Sequence, residues 1–363
     1  MYLINHKIIN FRNISDLLFT PERGVNVVYG QNGQGKTNLL ESIYLLTGAK
    51  SFRARKDNEI IMYGKEKSIV NSLFYLEKRE QTIKLIISDR GRSAERNKGG
   101  EKKASGLTGV FCCVLFSTES ILLIKGGPQQ RRNFIDFALC QISPKYLLEL
   151  KKYYKILNQK NSLLKEINKI PDAYEILDIY DSQLVETARV VTTMRLSFSK
   201  SLLPLAESDY LTISGEKEKL NFFYHSTIWE EDEDLSFSQG LDKITKIREA
   251  DIRAGFTTAG PHRDDLLITI NDKDARIFSS QGQQRSTVIA LKLAEASIIE
   301  RAFGEKPLLL LDDILSELDS ERQDYLLERL SDNQTIITGC DPALVSGRID
   351  ASIFEMKNGN ILS

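Results

Sequence analysis

The chain has 363 residues, of which 41% are hydrophobic and 27% charged, with a formal net charge of −1. That length admits two or three domains around a large core, and the composition is that of a soluble globular protein. No apolar run approaches the roughly 20 residues that span a bilayer; the start lacks a leader, and Cys112, Cys113, Cys140 and Cys340 show no CxxC spacing, so a cytosolic protein without a disulfide framework or zinc site is expected.

In chain order, the first 30 residues read strand, turn, strand. "VNVVYG" (25–30) is a short apolar run that enters a glycine-rich loop. The helix that follows carries Leu39, Leu40, Ile43 and Leu46 on one stripe, with Gly48 as its C-cap. Residues 60–118 alternate apolar and polar and predict a β-rich layer, interrupted by an exposed, mobile loop at "DRGRSAERNKGGEKK" (89–103). From Gly126 the period turns helical. One helix ends at Pro171 and a second runs from Asp172 until Pro204 stops it. A hairpin-like stretch (210–229), an acidic run (230–234) and a helix ending near Gly255 follow. Residues 265–280 read as two strands around a turn, and a helix begins near Arg285. The C-terminal part reads strand, loop, helix, strand, which argues for a parallel sheet covered on both faces. The expectation is an α/β fold in three parts: residues 1–120, an inserted helical subdomain at 121–250, and 251–363.

"GQNGQGKT", Gly30 to Thr37, matches the phosphate-loop pattern GxxxxGK[ST], between a predicted strand and a predicted helix. The backbone of Gly30, Gln31, Asn32, Gly33, Gln34 and Gly35 can curl its N–H groups toward phosphate oxygens. Lys36 can reach the β- and γ-phosphates, and the Thr37 hydroxyl can ligate magnesium. "LLLLDD" (308–313) supplies the carboxylates: Asp312 for the metal, Asp313 for orienting or deprotonating the attacking water. "SSQGQ" (279–283) stands at the mouth of a helix, where unpaired N–H groups and the helix dipole favour an anion. A capped turn is the bland alternative. "GPHRDD" (260–265) reads as a Gly-Pro turn with an ion-paired Arg263 rather than a His262 metal site. Arg131 and Arg132 fit either phosphate contacts or pairing with acids.

"SSQGQ" resembles the signature motif of ABC-type ATPases, usually LSGGQ, and "LSELD" (315–319) resembles their D-loop. The resemblance implies that Ser280, Gly282 and Gln283 touch the γ-phosphate of ATP bound by a second copy. The signature begins 243 residues after Thr37 (280 − 37), too far for a transport cassette, and the insertion is too short for the coiled coils of SMC proteins. "NFRN" (10–13), "GQNGQGKTNLLESIYLLTGAKSFR" (30–53), "KGGPQQRRNFID" (125–136), "TTAGPHRDDL" (257–266), "SSQGQQRSTVIALKLAE" and "LLLLDDILSELD" together resemble the RecF family of bacterial recombination mediators, nearly end to end.

That resemblance implies an ABC-type ATPase head related to SMC heads. It further implies ATP and Mg2+ as cofactors, and slow hydrolysis served by Lys36 and Asp313. An ATP-dependent homodimer would hold DNA near single-strand/double-strand junctions. RecR, RecO and RecA would be its pathway partners, in support of repair and the SOS response. Charge segregation suits a polyanion: 15 Lys/Arg face 8 Asp/Glu between Lys50 and Lys103 (+7), 10 face 3 between Ser120 and Ile170 (+7), and 5 face 12 between Leu205 and Asp251 (−7). Solvated helix faces are the simpler source of such runs. Three departures stand out. Thr118 replaces a usual proline, "TGCD" (338–341) has no switch histidine, and Asp313 is one methylene shorter than the glutamate common in ABC enzymes.

Overall fold

The structure, a computed structural model, describes residues 1–97, 99–230, 235–339, 341–345 and 347–362, with the side chains of 101, 102 and 105 left aside. Lys98, Cys340 and most of the acidic run therefore lie outside the described residues. Strands β1 (Tyr2–Phe11), β2 (Ile14–Phe19) and β3 (Val25–Tyr29) lead into helix α1 (Lys36–Tyr44). Next come β4 (Lys67–Leu76), β5 (Arg79–Ser88), β6 (Gly91–Arg96), β7 (Glu101–Lys103) and β8 (Cys113–Ser117). Helices α2 (Leu122–Lys125), α3 (Pro128–Ile142), α4 (Pro144–Lys165) and α5 (Ala173–Ile213) form the middle. After β9 (Leu220–His225) and α6 (Phe237–Ala254) the chain makes β10 (Asp265–Ile270), β11 (Lys273–Asp274), α7 (Ala275–Phe278) and α8 (Gln281–Phe303). It finishes with β12 (Leu308–Asp312), α9 (Ser320–Leu330), β13 (Thr335–Gly339), β14 (Ala351–Lys357) and β15 (Asn360–Leu362).

The central sheet has the order β15-β14-β3-β13-β12-β8 and is parallel except for the final hairpin. Its strands are apolar on both faces because each face meets a core. Leu308 and Leu310 of β12 pack toward α1 and the β-rich layer, while Leu309 and Leu311 pack toward α8 and α9. The β-rich layer is antiparallel, in the order β2-β1-β4-β5-β6-β7. A third sheet, β11-β10-β9, joins residues from both sides of position 250.

Four expectations need correction. The stretch 89–103 contains strands β6 and β7 rather than only a loop: β6 pairs with β5 and buries Ala94 between Arg92 and Arg96, and β7 forms the sheet edge. Helix α5 does not stop at Pro204 but continues to Ile213, 41 residues in all. The proline ring is exposed, so the hydrogen bond it forfeits faces water. Beyond it Ala206, Asp209 and Tyr210 are buried, and Asp209 accepts hydrogen bonds from Tyr325 (2.7 Å) and Arg329 (2.9 Å) of α9. Tertiary anchoring outweighs the local breaker. The 210–229 hairpin is also absent: Tyr210–Ile213 finish α5, and β9 pairs with the distant β10. In 265–280 the second strand is two residues long and yields to the turn of helix α7. No described helix is long and apolar enough to cross a membrane.

Candidate nucleotide site

The carboxyl ends of β3, β13 and β12 lie side by side, since Asp312 pairs in register with Thr338, and Thr338 with Val28. Such an edge is where open α/β sheets hold ligands. The loop from Gly30 to Thr37 rises from β3 and delivers the N-terminus of α1 there. Gly30 has φ +151°, and a Cβ on it would overlap the Met356 carbonyl oxygen of β14. Gly35, the N-cap of α1 at φ +113°, would place a Cβ 3.0 Å from Asn13 Oδ1 and from Met356 Cε. Only glycine fits either position. The Lys36 ammonium donates to the carbonyls of Gly30 (2.5 Å) and Gln31 (3.0 Å), so it lies across the loop mouth. The unpaired first-turn amides of α1 complete a cationic cradle.

Sequence reasoning missed what braces this loop. The β14–β15 turn is Asn358–Gly359, with φ +48° and +76°, the two-residue hairpin geometry that Asn-Gly favours. Its amides donate to Gln34, Asn358 N to the side-chain oxygen (2.5 Å) and Gly359 N to the main-chain oxygen (2.9 Å). Asn13, in the β1–β2 turn, donates to Gly33 O at 2.8 Å. The Asn-Gly dipeptide was the available signal; that its donors reach a loop 324 residues away was not.

Thr37 Oγ1 and Thr338 Oγ1 each donate to Asp312 Oδ1 at 2.8 Å. This places the hydroxyl and carboxylate assigned to magnesium in direct contact. The donors are all hard oxygens, which fits that ion. Among the described residues no group of three or more His, Cys, Asp or Glu could hold a metal, so this site would rely on phosphate and water oxygens as well. Asp313 adopts φ +53°, a sparsely populated conformation for a non-glycine residue. Its amide donates to Thr338 O (3.1 Å), and Ser316 Oγ donates to its carbonyl (2.8 Å) and to Oδ1 (3.3 Å). The carboxyl is thereby turned toward the 315–319 loop.

Helix α8 starts at Gln281, four residues before the expected Arg285, because Ser280 caps it. Ser280 Oγ accepts from Gln283 N (3.2 Å), and Gln283 Oε1 accepts from Ser280 N (2.7 Å), a capping box. Gln283 Nε2 donates to Glu218 at 2.6 Å, so its side chain is held by its own chain. Arg285 lies 3.6 Å from Glu317, and Arg322 pairs with Asp319 and donates to Ser286 at 2.8 Å. The signature stretch and the 315–319 loop thus form one cluster, whereas the phosphate loop is tied to Asn13, Asp312 and 356–359.

The "GPHRDD" turn is structural. His262 is held between Tyr153 (2.6 Å) and Thr257 O (3.0 Å), and burial pushes its pKa down to about 4. Arg263 stacks over Phe256 at 5.1 Å, and the expected ion pair is not formed among the described residues. Arg131 pairs with Asp265 at 2.7 Å and Arg132 donates to Asp264 O at 2.7 Å, so both arginines serve the fold. Thr118 occupies the first position of a turn capped by Ser117, a site where threonine and proline are both tolerated. Grooves of about 900 and 970 Å3 flank α5, sharing Leu196, Lys200 and Leu235, and neither includes a phosphate-loop residue.

A family model described as RecF/RecN/SMC N terminal domain matches residues 2–358. A protein of Agathobacter rectalis named DNA replication and repair protein RecF is 41% identical over 356 residues, covering 97% of this chain and 96% of its own. Its namesake in Bacillus subtilis is 37% identical over 377 residues, with 100% of both chains covered. A solved structure of the recombination mediator protein RecF-ATP in the RecFOR pathway superposes with a TM-score of 0.90 at 34% identity, covering 99% of this chain and 98% of that one. An Smc head domain derived from Pyrococcus furiosus has a TM-score of 0.57 at 16% identity and covers 99% of this chain and 95% of its own, a likeness of fold alone. By family model, full-length identity and superposition alike, the chain belongs to the RecF family.

Proposed function

We propose that this chain is an ATP-dependent DNA-binding ATPase of replication and recombinational repair, active as an ATP-induced homodimer in the cytoplasm. The observation that carries the reading is the Thr37–Asp312 contact beneath a glycine loop shaped for phosphate, in a chain whose signature stretch is held by other partners, Glu218 and Arg322. Such a division is useful when each copy completes the other's site. Residues 30–37 would bind the triphosphate, and Thr37 and Asp312 would hold Mg2+, which supplies charge neutralisation at the β- and γ-phosphates. Asp313 would orient the attacking water. Ser280 and Gly282 would meet the partner's γ-phosphate, while Gln283, engaged by Ser280 and Glu218, supports the cap.

The division into 1–120, 121–250 and 251–363 remains part of this proposal. The dimer would grip DNA electrostatically near single-strand/double-strand junctions and assist RecA loading with RecO and RecR, in support of SOS induction. DNA should stimulate a slow ATPase. A transport-type cassette would lack a salt-sensitive DNA affinity, and the short insertion between the two half-sites argues against a purely structural SMC-like head. The test compares solution mass and DNA binding with and without ATP. We expect the mass to double with ATP, and DNA affinity to fall with salt at a slope of roughly several counterions. A monomer under all conditions, or DNA binding indifferent to ATP, refutes the proposal.

A further inference from the structure

We propose that Arg322 is a γ-phosphate ligand supplied in trans, the second cation of the composite ATP site. This rests on the sandwich reading above and adds to it a residue outside the signature and the 315–319 loop. Arg322 sits in the first turn of α9, and its guanidinium is fixed from two sides. Nε donates to Ser286 Oγ at 2.8 Å, and Nη1 pairs with Asp319, whose carboxylate also accepts the Arg322 amide at 3.0 Å. Nη2 has no hydrogen-bond partner among the described residues. It is turned toward Gly282, where an added Cβ would lie only 3.1 Å from it. A Cβ at position 282 would press on this guanidinium, which would have to give by a few tenths of an ångström.

Electrostatics says what this arrangement awaits. The first turn of α8 contains no acidic residue, and its N-terminus carries the positive end of a 23-residue helix. A cation beside that pole is repelled by it, and although Asp319 offsets that repulsion through Nη1, Nη2 is left without an acceptor among the described residues. Arg322 is nonetheless held there by Ser286 and Asp319, with 22% of its side chain exposed. A tetrahedral oxyanion at Ser280 and Gly282 would accept from Nη2 and from the helix amides together. The end of β13 shows why a cation is needed. Thr338 stands there with its hydroxyl already on Asp312, and no histidine occurs among residues 338–341, so Lys36 is the cation the phosphate loop itself provides.

The test uses the full chain and measures ATP-dependent dimerisation with magnesium, alongside ATP and ADP affinity of the monomer. Arg322→Ala should weaken dimerisation roughly 10–100-fold, the value of one or two hydrogen bonds to a charged group. Nucleotide affinity of the monomer, set in cis, should not change. Arg322→Lys should recover part of the loss, whereas Arg322→Gln, able to keep the contacts to Ser286 and Asp319 without the charge, should not. Mixing Arg322→Ala with Lys36→Met restores one complete composite site and should recover hydrolysis; mixing it with Ser280→Arg should not. Dimerisation of Arg322→Ala at the original strength overturns the inference, as does rescue by Gln but not by Lys. If the unaltered chain stays monomeric, or Ser280→Arg still dimerises, the sandwich reading fails first and takes this inference with it.

Discussion

Lowering the pH from 7.5 to 5 charges imidazoles in the unfolded chain that the folded chain keeps neutral. His6 of β1 is fully buried between Ser72 of β4 and Ser42 of α1, each 2.7 Å away. Ser42 spends its own proton on Leu39 O (2.7 Å), so His6 must donate through Nε2 and accept from Ser72 through Nδ1. A second proton would force the Ser72 hydroxyl to turn and would place a charge in a fully buried site. Burial lowers the His6 pKa from 6.5 to about 3. With the folded pKa depressed, the unfolded chain binds more protons; stability is complete above pH 6.5 and is lost as pH falls toward the folded value. At pH 5 the unfolded imidazole is about 1.5 units below its pKa, a loss of about 2 kcal/mol. The assay is urea unfolding at pH 7.5 and pH 5 for the unaltered chain and for His6→Gln, which can bridge the two serines without titrating. The unaltered chain should lose about 2 kcal/mol more than the variant between the two pH values; carboxylates and His262 contribute equally to both and cancel. Equal losses would mean that His6 is hydrated or charged in the folded state, and the derived tautomer would fall.

Ser280→Arg should leave ATP binding by the monomer intact but abolish ATP-dependent dimerisation, as read by sedimentation; a mass that still doubles sinks the trans assignment. Asp313→Asn should keep ATP binding and closure yet prolong the closed form and slow DNA release in ATP, whereas Asp312→Asn should impair magnesium binding and closure itself. Hydrolysis at the original rate in Asp313→Asn would end its catalytic assignment. Gly359→Ala would set a Cβ 2.8 Å from Asn13 O at a backbone φ of +76°, pushing the hairpin off Gln34. ATP affinity, measured by calorimetry, should fall several-fold there, and an unchanged value would show that the brace is dispensable. Lys160, buried with ion pairs to Asp181 (2.8 Å) and Asp251 (3.1 Å), ties α4 to α5 and α6. Lys160→Met should cost about 3 kcal/mol, because it removes the buried cation shared by Asp181 and Asp251 and leaves them only Arg248 and Thr258 as partners; denaturant unfolding within about 1 kcal/mol of the original would contradict it.

Where chemistry is local, the sequence by itself determined it. A strand, a glycine loop, Lys36 and Thr37 are contiguous, and four leucines ending in Asp312 announce a strand buried on both faces. Backbone curl and an unbroken apolar run are short-range properties, so they can be read from short windows. The cap of α8 was legible in kind, since Ser280 and Gln283 are three residues apart, although its start was placed at Arg285. Tertiary structure decided whatever depends on distant partners. Asp209 and Tyr210, buried against later elements, carry α5 past Pro204. Leu220–His225 becomes a strand because β10 supplies its hydrogen bonds, and charged 91–96 becomes one because β5 does. Gln34 is braced by a turn 324 residues away, and Arg322 reaches Gly282 only once α8 and α9 pack together. In each case the deciding free energy comes from burial and hydrogen bonding between segments far apart in sequence, which no local pattern encodes.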